Sequence, residues 1–199
     1  MTLLPTSMTQ PLCTDRLQLR MATAADAPAV WTFRQLPEVT QWITSGPTTY
    51  EAFLKMFADP QRLARTLMIE LTEGAATPKV IGDVMVRIED GWAQTELLEP
   101  AKSSQAELGW TLDPNYSGRG YATEAVRAVI DLCFGPLGLR RVVAGCFAAN
   151  EPSWRLMERL GMRREEYSRA SGLHRSGQWM DGMMYGILAE EWREQRGGA

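Results

Sequence analysis

Residues 117–122 read Ser-Gly-Arg-Gly-Tyr-Ala and open directly into an amphipathic helical pattern. A helix N-terminus presents backbone N–H groups without intrahelical partners, together with the positive end of the peptide dipoles. Gly118 and Gly120 let a ligand come close to those groups. The chemistry this suits is anion binding, phosphate above all, and Arg119 adds a positive charge. No acidic residue enters the helical pattern before Glu124. Two familiar nucleotide loops are excluded. There is no GxxxxGK[ST], and Gly118-Arg119-Gly120 is followed by Tyr121-Ala122-Thr123 rather than a third glycine in GxGxxG register. A nucleotide hydrolase and a dinucleotide dehydrogenase are therefore disfavoured. By itself the stretch also suits a plain glycine turn. The strand before it, the long helix after it and an N-x-x-S at 150–153 favour a pyrophosphate site.

The elements that would position this loop follow from periodicity. Residues 16–20 alternate as a half-buried strand does. Thr23 and Asp26 form a capping-box pattern ahead of a helix that Pro37 is expected to end. Thr48 and Glu51 predict a second cap, with Phe53, Leu54 and Phe57 on one helical face. Residues 66–71 and 80–88 read as a hairpin around the turn 72–79, and 90–104 as a longer loop. Strand 106–112 stops at Asp113-Pro114. Ala122, Ala125, Val126, Val129, Ile130 and Cys133 then recur at helical spacing. Strand 141–147, a helix opening at Asn150-Glu151-Pro152 and ending near Gly161, a strand over 178–188 and a closing helix over 189–195 complete the chain. The order predicts a single α/β (α+β) domain with a mixed sheet over 15–196, after a loose leader over 1–14.

Composition narrows the function. The net charge of −3 and pI of about 5.3 argue against a non-specific nucleic-acid binder. Cys13, Cys133 and Cys146 lie far apart, with no CxxC spacing, so neither a disulfide framework nor a zinc site is expected. The apolar runs are too short for a membrane span, and no signal peptide is read. A cytoplasmic protein without metal is expected.

The stretch from Ala106 to Arg163, AELGWTLDPNYSGRGYATEAVRAVIDLCF through LGLRRVVAGCFAANEPSWRLMERLGMR, resembles the GNAT N-acetyltransferases, and closely the RimJ/RimL-type branch. The start, TDRLQLRMATAADA, and the end, WMDGMMYGILAEEW, resemble that branch too. The resemblance implies a strongly twisted sheet, with helices on both faces, splayed in a V where strands 106–112 and 141–147 part. It implies acetyl-CoA in that V, with its pyrophosphate on the amides of Ser117, Gly118, Arg119, Gly120, Tyr121 and Ala122. The pantetheine arm would add along Trp110, Thr111 and Leu112, as an amide-bearing chain adds to an open sheet edge. Serine at 117 departs from the family's usual Gln or Arg, which backbone binding tolerates.

The same resemblance implies the catalytic roles. Acyl transfer to an amine needs a neutral nucleophile, a stabilised oxyanion and a protonated leaving thiolate. Glu107 stands where the family often carries an acid and would act as base through water; a solvent-facing strand carboxylate is the competing reading. Asp83 and Glu70 are weaker alternatives. Asn150 would bond the pantetheine arm and Ser153 the thioester sulfur, though both also suit helix capping. The family's general-acid tyrosine falls at Met157, which cannot donate a proton. His174, the sole histidine, sits in an expected hairpin loop, and Trp31, Trp42 and Trp179 are core or cleft candidates.

The function expected is direct acetyl transfer from acetyl-CoA to a primary amine, by resemblance a protein N-terminal α-amine. The alternatives are a small-molecule amine (an antibiotic, polyamine or amino acid), a longer acyl group, or a non-catalytic acyl-CoA-binding module. Glu89, Asp90, Glu96 and Glu99 suggest attraction of a cationic acceptor or simply a solvated acidic loop. A homodimer is the family-based expectation.

Overall fold

The computed structural model describes residues 10–46, 48–74 and 76–197. Its strands are Leu12–Cys13 (β1), Leu17–Met21 (β2), Thr66–Leu71 (β3), Lys79–Glu89 (β4), Gln105–Leu112 (β5), Arg141–Phe147 (β6), Arg163–Leu173 (β7) and Trp179–Leu188 (β8). Its helices are Ala27–Arg34 (α1), Pro37–Thr40 (α2), Tyr50–Phe57 (α3), Pro60–Leu63 (α4), Leu98–Ala101 (α5), Tyr121–Phe134 (α6), Glu151–Arg159 (α7) and Ala189–Gly197 (α8). The strands form one sheet in the order β1-β2-β3-β4-β5-β6-β8-β7. It is mixed, as expected: β5 and β6 run parallel, pairing over Gln105–Glu107 and Arg141–Val143, while β6, β8 and β7 pair antiparallel. The described chain groups into two compact units, 10–86 with 110–128 and 87–109 with 129–197.

In the first unit, β1, β2, β3 and β4 are antiparallel neighbours. Leu12–Cys13 of the expected leader pairs with β2, whereas 1–9 lie outside the described residues. The Asp26 carboxylate accepts from Thr23 N–H (2.8 Å) and fixes the chain where α1 begins. An apolar cluster of Ala27, Val30, Phe33, Phe53, Phe57 and Met68 joins α1 and α3 to the sheet. Two local readings change. The cap of α3 is Thr49, whose hydroxyl accepts from Ala52 N–H, not Thr48. Pro37 opens α2 instead of merely ending a helix, as suits a residue that lacks an N–H the first turn would leave unused.

In the second unit, Gly161 adopts φ +74° and stops α7, the conformation glycine alone reaches without a Cβ penalty. β8 lies between β6 and β7. The eleven-residue β7 was not legible as a strand because nearly all its residues are exposed, which leaves no alternation. His174 lies in the turn joining β7 to β8, as expected. On α8, Trp192 is buried and its Nε1–H donates to Asp131 Oδ1 on α6 (2.8 Å). Among the described residues no helix is long and apolar enough to cross a membrane.

Candidate active site

The glycine loop is built by a sequence of local bonds. The Asp113 carboxylate accepts from Asn115 N–H (3.0 Å) and starts a single 3-10 turn over Pro114–Tyr116. Ser117 N–H closes that turn on the Pro114 carbonyl (3.0 Å). Gly118 and Gly120 then take φ +76° and +81°, which reverses the chain into α6. Glu124 N–H donates to the Gly120 carbonyl (3.0 Å) as the helix begins. The amides of Tyr121, Ala122 and Thr123 precede that bond, so helix geometry aims them outward along the axis. A Cβ at Gly118 would meet nothing within 4 Å, so the space before these amides is open.

Glu124, the first acidic residue of α6, does not face the loop's mouth. Its Oε1 accepts from the Thr14 hydroxyl (2.6 Å) and Arg16 N–H (3.0 Å). Its Oε2 accepts from Arg16 Nε (2.7 Å) and pairs with Nη2 (2.6 Å). Burial alone would push this carboxyl up, but the bonds from Thr14 and Arg16 outweigh it and hold the group below its ordinary value. Arg16 in turn donates through Nη1 to the Arg119 carbonyl (3.0 Å) and lies over the Tyr121 ring (4.5 Å). Arg119 and Lys79 flank the Tyr116 ring at 6.0 and 5.2 Å. The loop is thereby anchored and bordered by three cations.

The β5 segment before the loop has two unlike edges. Asp113 N–H donates to the Ile81 carbonyl of β4 (2.8 Å). A Cβ on Gly82 would collide with the Thr111 carbonyl, so Thr111 also turns its backbone toward β4. Since backbone groups alternate along a strand, Trp110 and Leu112 turn theirs to the opposite edge. Of the three residues expected to receive an extended arm, these two present main-chain groups to it and Thr111 does not.

In the second unit, Glu107 lies on β5 and its Oε2 is ion-paired with Arg87, whose Nε also meets Glu89 (2.7 Å). Asn150 precedes α7, and its carbonyl accepts from Ser153 N–H (3.1 Å), but its side chain makes no capping bond. The capping role weighed for that amide is thus not the one it plays. The Ser153 hydroxyl hydrogen-bonds the Cys146 thiol, which burial pushes up to about 11 although this bond pulls it down. Met157 is fully buried one turn further on.

A model of the acetyltransferase (GNAT) domain matches residues 16–163, well over half of the chain. The chain belongs to the GNAT acetyltransferase family. A stretch of 86 residues is 41% identical to the uncharacterised N-acetyltransferase YnaD of Bacillus subtilis (strain 168), covering 43% of this chain and 50% of that protein. A GNAT acetyltransferase structure from Bacillus anthracis is 28% identical with a TM-score of 0.76, over 92% of this chain and all of that one. A Vibrio cholerae structure provisionally named a ribosomal-protein-serine acetyltransferase is 25% identical with a TM-score of 0.65, over 90% and 98% of the two chains.

Several other acids of this acetyltransferase are already committed. Asp83 is held by Arg34 through both oxygens (2.5 and 3.1 Å), and Glu70 by Arg20 (2.7 Å). Both carboxylates are buried and serve as ion-pair partners. In the 90–104 loop, Glu99 pairs with Lys102 (2.6 Å) and Asp90 accepts from Ser103 N–H (2.8 Å). Glu89 pairs with Arg87, a partner it shares with Glu107. Trp31 packs on Phe53 (5.1 Å) as a core residue, and Trp179 is 63% exposed. The tethers Arg16–Glu124 and Arg87–Glu107 join residues far apart in sequence, and no local pattern announces them.

Proposed function

We propose that this acetyltransferase moves the acetyl group of acetyl-CoA to a protein N-terminal α-amine, in the manner of the RimJ/RimL branch, by direct attack within a ternary complex in the cytoplasm. The observation that carries the acceptor class is the Arg87–Glu107 pair. Glu107, the carboxylate on β5, is already engaged by a guanidinium, so taking a proton from an ammonium means giving up that partner. Such a site suits an acceptor whose neutral form is already well populated. An α-amine is roughly 15% neutral at pH 7 and a lysine amine only about 0.04%. The provisional name of the Vibrio cholerae neighbour points the same way.

The residues present fit acetyl-CoA. Two left-handed glycines and the outward amides of Tyr121–Thr123 suit the pyrophosphate, with Arg119 and Arg16 as nearby cations. Trp110 and Leu112 offer main-chain groups to the pantetheine. The uncommitted Asn150 amide suits an amide of the same arm. The amine lone pair attacks the acetyl carbonyl, the C–S bond breaks, and the amine proton leaves through water toward Glu107. Ser153 Oγ donates to the departing sulfur once it releases Cys146. Met157 supplies no proton.

The test is acetyl-CoA turnover on hexapeptides with free or blocked N-termini, each containing one lysine, read by mass spectrometry of the site. One acetyl group on the α-amine of the free peptide alone supports the proposal. Acetylation of lysine, or of polyamines with no peptide accepted, overturns it.

A further inference from the structure

Around Asp83 the first unit gathers more positive charge than it neutralises. Asp83 gives both oxygens to Arg34 at the end of α1, and the pair is nearly closed to solvent, with side-chain exposures of 10% and 2%. Arg62, on α4, and Arg65, just before β3, share this neighbourhood. Arg62 feels the repulsion of Arg34 and Arg65 and the attraction of Asp83 and Asp59. Asp59 is spent on the Arg62 backbone N–H (3.0 Å) as a helix cap. Among the described residues neither Arg62 nor Arg65 takes part in an ion pair, and Arg65 Nε is a buried donor with no hydrogen-bond partner.. Burial, the largest influence on it, depresses the Arg62 guanidinium.

Arg34 therefore uses both oxygens of the one nearby buried carboxylate, while Arg62 stands near that pair and Arg65 adds a third guanidinium beside Arg62. A half-buried cation without a partner is costly, because desolvation is not repaid by pairing. A chain that keeps two such cations together has the electrostatics of an anion site awaiting its ligand. The location matters as much. Asp83 stands opposite Met68 on β3. The Asp113–Ile81 bond sets it opposite Thr111 on β5, in the middle of the Trp110–Leu112 segment.

We propose that the acceptor amine belongs to a molecule carrying a carboxylate close to that amine, and that Arg62 and Arg65 receive this carboxylate beside the Arg34–Asp83 pair. Under the reading of a protein N-terminus, on which this rests, the substrate class is N-termini with Asp or Glu at the second or third residue.

The experiment measures kcat/KM at saturating acetyl-CoA for serine-initiated hexapeptides carrying Glu, Gln or Lys at positions two and three. Wild type, Arg62→Gln/Arg65→Gln and Arg62→Lys/Arg65→Lys are compared, each with a thermal melt to establish folding. The expected order is Glu over Gln over Lys, with roughly tenfold or more between the extremes, as for one to two charge-assisted hydrogen bonds. The Gln variant brings the three peptides together, mainly through KM, and the Lys variant keeps part of the order. Equal rates on the Glu and Lys peptides, or discrimination unchanged in the folded Gln variant, overturn the inference and leave the N-terminal reading intact. β-Alanine and spermidine are run in parallel. No peptide turnover, with β-alanine preferred in an arginine-dependent way, removes the N-terminal reading and keeps the inference. Spermidine preferred over every acid-bearing amine removes both.

Discussion

Replacing Glu124 with Gln probes how the phosphate loop is held. The carboxylate receives four donor contacts from Thr14 and Arg16, two on each oxygen. A carboxamide keeps the shape but must turn its NH2 toward one of those donor pairs, losing two contacts and gaining a clash of hydrogens. Hydrogen bonds to a charged group contribute about 1.5–3 kcal/mol each where buried. The Arg16 side chain is 31% exposed and that of Glu124 18%, so solvent screening reduces the expected loss to about 1–2 kcal/mol in all. For a chain of this size that lowers Tm by roughly 2–8 °C. The effect has a pH signature. Glu124 titrates below its ordinary value in the folded state, so its contribution is fully present above about pH 4.3 and is lost as pH falls through the lowered value. Melts of wild type and variant should differ at pH 7 and converge as pH falls through that lowered value. Because Arg16 Nη1 also holds the Arg119 carbonyl, the stabilisation by added CoA should shrink in the variant as well. Equal melts at pH 7 would refute the tether. A gap that persists unchanged at acid pH would refute the charge as its origin.

Other outcomes follow from the same geometry. Gly82→Ala sets a methyl against the Thr111 carbonyl and should cost about 1–3 kcal/mol, read by denaturant unfolding. Asp83→Asn leaves the Arg34 guanidinium buried without its counter-charge and should lower stability by about 3–5 kcal/mol, seen in the same titration. Glu107→Gln and Ser153→Ala should lower kcat by about 100-fold while acetyl-CoA still raises Tm; unchanged turnover in both would remove them from the chemistry. Cys13 is exposed, whereas burial lifts the Cys146 and Cys133 thiols to about 11 and about 12, so iodoacetamide at pH 8 should label Cys13 first, as peptide mapping would register.

Legibility in the sequence tracked burial. The α6 stripe of Ala125, Val126, Val129, Ile130 and Cys133 is buried as its spacing required, and only Ala122, at the mouth of the helix, is half-exposed. The β3–β4 hairpin and the Asp113-Pro114 stop were legible because apolar runs and turn residues mark them locally. β7 was not, since an exposed strand carries no alternation. The Thr48–Thr49 ambiguity reflects two adjacent residues of equal capping ability, which tertiary context decides. The glycine turn into α6 was legible because left-handed positions favour glycine, and Gly118 and Gly120 occupy them. The pairing of Glu107 with Arg87 and the surplus of arginine around Asp83 depend on strand register and on where α4 lands. No local spacing encodes either.

The uncharged opening of α6 has a consequence for anyone engineering this chain. An Asp or Glu at the half-exposed Ala122 or Thr123 would complement the helix dipole and gain about 0.3–1 kcal/mol. A screen for heat resistance in the absence of ligand would therefore reward such substitutions. Under the proposed pyrophosphate role, each would set a negative charge against the coenzyme's phosphates. If the phosphates bind there as proposed, they supply the same complement to the dipole, so thermostability selected without coenzyme and activity should trade against each other at these positions.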